Sequence, residues 1–260
     1  MLNNILFESE TPTNEYIVLL HGFGGNHRVW KHQIPILQKY YNVIAIDLPS
    51  HNVNNIKLSK MEVTIDAVSR EILKVLDFYK VKKAVFMGVS LGTIFIKHIE
   101  MKYPQYVESG ILVGTVGKLG FLLGMTAKIF SQIGDRLPFR LVYRIFSKIM
   151  MPMRSSEKSR SIFCKCAEDL NAREFKKWMD IFVESISMNI KFRKCRFLNN
   201  FYLSGDTDVC FLKAVKKEVK ATKAKFIQMH SCGHVCNIDQ KEKFNRLIVN
   251  HILKLKSHNI

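Results

Sequence analysis

Long apolar runs are missing from this chain. No hydrophobic stretch reaches the roughly 18 residues a bilayer-spanning helix needs, so none is expected. Lys128 and Asp135 break the greasiest segment, which follows Gly117. The start, Met1-Leu2-Asn3-Asn4, has no basic region followed by an apolar core. A secretory signal is not expected, and the expected compartment is the cytoplasm. Internal repeats and low-complexity linkers are absent, which excludes solenoids and flexible arrays. Cysteine is sparse at six in 260 residues. Without an export signal these read as reduced, partly buried thiols rather than a disulfide framework. Acidic residues are scarce too: 22 Asp+Glu face 40 Lys+Arg, a formal net charge of +18. The surface field therefore favours anionic partners, though it carries no information on fold. No helix-turn-helix, zinc-finger or RNA-binding aromatic signature accompanies the charge, so nucleic acid is not an expected partner.

What is present is an alternation. Tyr16–Leu20, Asn42–Asp47, Lys83–Met87 and Gly110–Val113 are nearly continuous apolar runs. Such runs suit strands buried on both faces of a parallel sheet. Between the second and third lies a helical pattern over Val63–Tyr79, with Ile65, Val68, Ile72, Val75, Leu76 and Tyr79 on one side. A helix is also expected after Ser90. The strand–helix order means an α/β fold. From about Gly117 to about Arg196 only helical patterns occur. Strands resume at Phe201–Leu203 and Lys225–Met229, followed by a last helix from about Asp239 to Leu255. The expected organisation is a core of residues 1–116 and 197–260, with a helical cap, 117–196, inserted as a lid.

Gly88-Val89-Ser90-Leu91-Gly92 is a G-x-S-x-G pentapeptide between an apolar strand and a helical pattern. That is the setting a nucleophile elbow requires. Side chains two before and two after the serine would clash in so tight a turn, hence Gly88 and Gly92. His21-Gly22-Phe23-Gly24-Gly25 follows the Tyr16 strand. A glycine-rich bend there can aim backbone N–H groups at a developing oxyanion, with Phe23 and Leu91 as donors. It lacks the Lys-Ser/Thr of a P-loop and the spacing of a dinucleotide fingerprint. Gly205-Asp206-Thr207-Asp208 and Ser231-Cys232-Gly233-His234 each follow a strand as well. Open α/β sheets place their sites at such C-terminal strand ends. The order Ser90, Asp208, His234 is the order nucleophile, acid, base.

Taken together, these motifs resemble the α/β-hydrolase superfamily, in the cap-bearing serine hydrolase branch that holds esterases. The resemblance covers residues 15–116 and 197–258. It implies a mostly parallel central sheet flanked by helices, with an inserted all-helical cap. It also implies Ser90 as nucleophile, His234 as base, and Asp208, by the Gly-x-x-Asp pattern, in preference to Asp206 as acid. His21 and Gly22 support the oxyanion loop. No cofactor or metal is called for. The run Asp47-Leu48-Pro49-Ser50-His51-Asn52 departs from the family's Asp-x-Pro-Gly-x-Gly. Both glycines are replaced, and another loop conformation is expected there. Room remains for about one strand before Tyr16.

The alternation His230-x-Cys232-x-His234-x-Cys236 lacks standard zinc spacing, and a metal would sequester His234. The insert is strongly basic, with 17 Lys+Arg and 7 Asp+Glu in residues 117–196, or +10 of the +18. Arg136, Arg140, Arg144 and Lys148 recur every four residues, and Phe139, Val142, Ile145, Phe146 and Ile149 are expected on the opposite side. The stripe reads as a solvated face, as a lure for an anionic substrate, or, less favoured, as a membrane contact. Phe121, Leu122, Leu123, Met125, Ile129, Phe130, Met150, Met151 and Met153 are either the cap's own core or the wall of an acyl pocket. The expected partner is a small-molecule ester or acyl compound, with an anionic one left open. The expected activity is cleavage of a carboxylic ester or thioester. A triad-dependent lyase resembling a menaquinone-pathway synthase, a C–C hydrolase and a catalytically idle binding protein are the alternatives. Oligomeric state is not legible.

Overall fold

The computed structural model describes residues 1–117, 138–192, 200–222 and 224–257. Seven strands form one sheet in the order β1-β3-β2-β4-β5-β6-β7. They are β1 (Asn4–Phe7), β2 (Tyr16–Leu20), β3 (Asn42–Ile46), β4 (Ala84–Val89), β5 (Val107–Val113), β6 (Phe201–Gly205) and β7 (Lys225–Met229). Only β1 runs antiparallel, pairing Asn4 with Ile46 through Phe7 with Val43. It is the single strand expected before Tyr16. Every residue of β4 is buried, as a central parallel strand requires. The register aligns the C-terminal ends: Leu20 lies beside Gly88, Val113 beside both Val89 and Leu203, and Gly205 beside Met229. The loops after β2, β4, β5, β6 and β7 therefore leave the sheet along one edge.

The helices that position this edge are α1 (Ile65–Phe78), α2 (Leu91–Lys102), α3 (Phe139–Met150), α4 (Glu157–Cys166), α5 (Ala172–Phe192), α6 (Leu212–Thr222) and α7 (Lys241–Ser257). Thr64 Oγ1 accepts the Ala67 N–H at 3.1 Å, which starts α1 two residues later than the apolar pattern suggested. The expected last helix begins at Lys241, two residues after its expected start, and a separate turn precedes it. A single turn, Cys236–Asp239, ends at Gln240 (φ −132°, ψ 53°) before α7 begins. The Asp239 carboxylate turns back to accept the Gly233 N–H at 3.0 Å and the Ser156 and Ser159 hydroxyls. A fully buried Lys97 in α2 ties that helix to α6, its Nζ 3.2 Å from Glu218. Tyr202 of β6 donates to the same carboxylate at 3.0 Å. A buried charge held so must be paired and hydrogen-bonded.

Between β5 and β6 the regular elements among the described residues 138–192 are all helical. They sit over the C-terminal edge through directed contacts. Trp178 Nε1 donates to Pro49 O at 3.1 Å, and Tyr143 Oη donates to Phe23 O at 2.7 Å. Glu174 accepts from the Ser50 and Ser59 hydroxyls. The expected ends of the insert, and Arg136, Phe121, Leu122, Leu123, Met125, Ile129 and Phe130 within it, border on or lie outside the described residues. Two expectations about α3 and its neighbourhood fail. Ile145 is 41% exposed beside an equally open Leu141, and Met153 is 40% exposed. Tyr143, Ser147 and Met150 take the inner face instead, because it is turned toward Phe23 and Ser90 and not toward a partner helix alone. Among the described residues, no helix is long and apolar enough to cross a membrane.

Candidate active site

The elbow is built by close approach. Ser90 adopts φ 51°, ψ −115°, a left-handed conformation that costs a non-glycine residue of order 1–3 kcal/mol. Its N–H donates to Val113 O at 2.9 Å, fastening the turn to β5. A Cβ on Gly88 would lie 2.9 Å from the Gly92 carbonyl carbon, and one on Gly92 would lie 2.3 Å from Leu20 O. Neither position accepts a side chain. The serine hydroxyl is pushed above the sheet edge, where Ser90 retains only 9% exposure.

Three residues from three loops meet there. His234 Nε2 lies 2.8 Å from Ser90 Oγ. His234 Nδ1 lies 2.9 Å from Asp208 Oδ2. Asp208 Oδ1 points the other way and accepts the Phe211 N–H at 3.2 Å, ahead of α6. Asp208 and His234 are both buried. Asp206 is not part of this chain of contacts. Its carboxylate faces the solvent-exposed His230 at 3.3 Å. Gly114, at φ 51°, makes room for His234: a Cβ there would sit 2.2 Å from its backbone O and 3.1 Å from its Nδ1. The segment His230 to Val235 is a turn and not a strand, so its residues do not alternate. Cys232 and Cys236 lie buried with sulfurs 3.6 Å apart, while His230 faces solvent. The five cysteines among the described residues are free thiols.

Phe23 and Leu91 flank Ser90 in the same cavity. Leu91 opens α2, where the first N–H groups have no helical acceptor. The Phe23 loop is held by two buried histidines. His51 Nε2 accepts the Gly24 N–H at 2.9 Å, and its Nδ1 donates to Pro49 O at 2.9 Å. His21 Nε2 accepts the Leu48 N–H at 2.9 Å, and its Nδ1 donates to Gly22 O at 2.8 Å. Each ring therefore carries its proton on Nδ1 and is neutral. Burial agrees, lowering His21 to about 4 and His51 well below its ordinary value. Asp47 anchors the same region through His27 and the Asn3 and Asn52 amides. Burial opposes its ionisation, yet the His27 hydrogen bonds hold its carboxyl below the usual range. Ser50, where the family pattern has glycine, takes φ 68°. Its hydroxyl is fixed in this left-handed state, donating to Glu174 and accepting the Leu58 N–H.

The space beside Ser90 is small, about 30 Å³, and apolar. Phe23, Leu91, Tyr143, Phe146, Met150, Met151, Phe163, Phe182 and Val235 line it with Ser147, Ser90 and His234. Lysine, arginine and carboxylate side chains are absent from this described lining. Sequence reasoning missed His51 and Tyr143. His51 sat in a run read only as a departure. Tyr143 had no local signal, being 120 residues from the carbonyl it binds.

Comparison with known proteins places this arrangement. A family model described as the alpha/beta hydrolase fold matches residues 15–142. MenH from S. aureus superposes with a TM-score of 0.83 at 17% identity, covering 98% of this chain and all of that one. The chain has the α/β-hydrolase fold. Two curated relatives match part of the chain. One is the dihydrolipoyllysine-residue acetyltransferase component of the acetoin cleaving system of Pseudomonas putida. It is 34% identical over 42% of this chain and 28% of its own length. The other is the pimeloyl-[acyl-carrier protein] methyl ester esterase of Vibrio campbellii (strain ATCC BAA-1116), 31% identical over 39% of this chain and 37% of its own. The chain thus aligns with about a third of the length of those relatives.

Proposed function

We propose that this protein is a serine hydrolase that cleaves a carboxylic ester, or a thioester, bearing a short apolar acyl group. The observation that carries the reading is the relay Asp208–His234–Ser90, at 2.9 and 2.8 Å, opening into an apolar cavity. A serine hydroxyl is a weak nucleophile until a base takes its proton. His234 Nε2 takes it as Oγ bonds to the acyl carbon, and Asp208 holds the tautomer and stabilises the resulting cation. The carbonyl π electrons move to oxygen, and the N–H groups of Phe23 and Leu91 receive the oxyanion. Collapse expels the alcohol or thiol, which leaves with the proton held by His234. Water then attacks the acyl-serine, giving its proton to His234; the bond to Ser90 Oγ breaks, Oγ takes that proton back from His234, and the acid departs.

The cavity volume suits a short acyl group, since it holds about two waters at roughly 10–15 Å³ each. The helices over the edge act as a cap that closes this space. A relative is named as a methyl ester esterase, the same bond type. The lyase reading needs cations for an anionic substrate, and the described lining beside Ser90 offers none. An idle binding protein has no use for a strained, hydrogen-bonded serine. Labelling with a small fluorophosphonate, located by peptide mass spectrometry, tests the nucleophile. Adduct on Ser90 is expected, with loss of p-nitrophenyl acetate hydrolysis by roughly 10⁴-fold or more in Ser90→Ala. A Ser90→Ala protein retaining a tenth of the activity would place the nucleophile elsewhere.

A further inference from the structure

A second cavity lies between α3 and α4, on the far side of Tyr143 from Ser90. It measures about 380 Å³ against 30 Å³ at the serine. That is within the span of small-molecule sites, roughly 300–1,000 Å³. Arg140 and Arg144 of α3 and Lys165 of α4 line it, with Glu168 as the one carboxylate. Among the described residues none of these three cations has an ion-pair partner. Three like charges around one concavity raise the local concentration of anions. Arginine pairs grip planar or tetrahedral oxyanions through forked donors. The rest of the lining is not what a bare anion requires: Phe139 and Tyr143 supply an aromatic wall next to the cations. Charge on one side and apolar surface on the other match a molecule built the same way.

We infer that this groove binds a single-chain anionic amphiphile, its phosphate or carboxylate head on Arg140, Arg144 and Lys165 and its chain against Phe139 and Tyr143. The site shares only Tyr143 with the cavity beside Ser90, and its occupancy does not depend on the ester-hydrolase reading. It assigns part of the basic stripe to a ligand and leaves Lys148 as solvated surface.

The test is calorimetric titration of the full-length protein with dodecyl phosphate below its micellar concentration. Inorganic phosphate, the neutral dodecyl maltoside and vesicles containing anionic phospholipid serve as comparisons. Dodecyl phosphate is expected to bind at least tenfold tighter than either soluble control, and to weaken as salt screens the cations. Arg144→Glu/Lys165→Glu is expected to lose at least tenfold in affinity. Lys82→Glu/Lys83→Glu, exposed ahead of β4 and remote from the groove, is expected to bind as wild type. Equal losses in the two charge reversals would mean a general field effect and overturn the proposal. So would inorganic phosphate binding as tightly, which would make this a bare-anion site, or binding to vesicles without binding to the monomer, which would make the face a membrane contact.

Discussion

Replacing Asp208 by asparagine separates positioning from folding, because the two carboxylate oxygens do different work. Oδ1 accepts the Phe211 N–H at 3.2 Å, and Oδ2 faces His234 Nδ1 at 2.9 Å. An asparagine keeps the first contact with its carbonyl oxygen. Its amide nitrogen then faces the imidazole and can only donate. His234 must accept at Nδ1 and so carries its proton on Nε2, 2.8 Å from Ser90 Oγ. A protonated Nε2 cannot receive the serine proton. The expected loss is about 10⁴-fold in kcat, about 5 kcal/mol of transition-state stabilisation. Stability should scarcely move, since the hydrogen-bond count is preserved. Asp206→Asn serves as the partner variant. It disturbs an exposed contact to His230 and a 3.4 Å contact from the Cys232 N–H, worth about 1 kcal/mol or less of stability. Its kcat should stay within about threefold of wild type. Initial rates on p-nitrophenyl acetate, with melting temperatures for both variants, make the measurement. Equal losses of kcat, or a larger one at Asp206, would refute the assignment of the acid.

Two further outcomes follow from burial. Burial raises Glu100 to about 7 from 4.5, although Asn200 Nδ2 donates to it at 2.7 Å. Its folded pKa lies above the unfolded one, so the native state binds the extra proton. Stability is full below about 4.5 and falls as pH rises through 7, by an amount of order 3 kcal/mol. Glu100→Gln should therefore raise the melting temperature more at pH 8.5 than at pH 4.5; an equal shift at both would show that Glu100 does not titrate this way. Met150→Ala should enlarge the space beside Ser90. Each extra methylene then buried contributes about 0.8 kcal/mol, roughly fourfold in kcat/KM. Wild type is expected to prefer the acetate over the butyrate ester, and the variant to favour butyrate by about tenfold relative to wild type. A chain-length series that does not change would remove Met150 from the acyl wall.

The sequence by itself determined the layered α/β architecture and the lettering of the elbow. Fully buried parallel strands need continuous apolar runs, and these are local. A turn that tight admits no side chain at Gly88 or Gly92, and this too is a matter of neighbouring atoms. The loops after β2, β4, β6 and β7 were readable as the bearers of Phe23, Ser90, Asp208 and His234 because turn residues follow apolar runs. The tertiary structure alone decided how those loops meet. Strand order in the sheet, β1-β3-β2-β4-β5-β6-β7, is not chain order, and it brings Ser90 to His234 across 144 residues. No periodicity encodes that distance. The same holds for Tyr143 on Phe23 O and for the His51 ring under Gly24. A helical wheel separated polar from apolar positions on α3, but it could not say where solvent ends. Ile145 faces outward and Tyr143 inward because the surface that α3 covers is the Phe23 loop and the cavity beside Ser90. Burial of a side chain is decided by what lies opposite it, and that partner comes from a distant part of the chain.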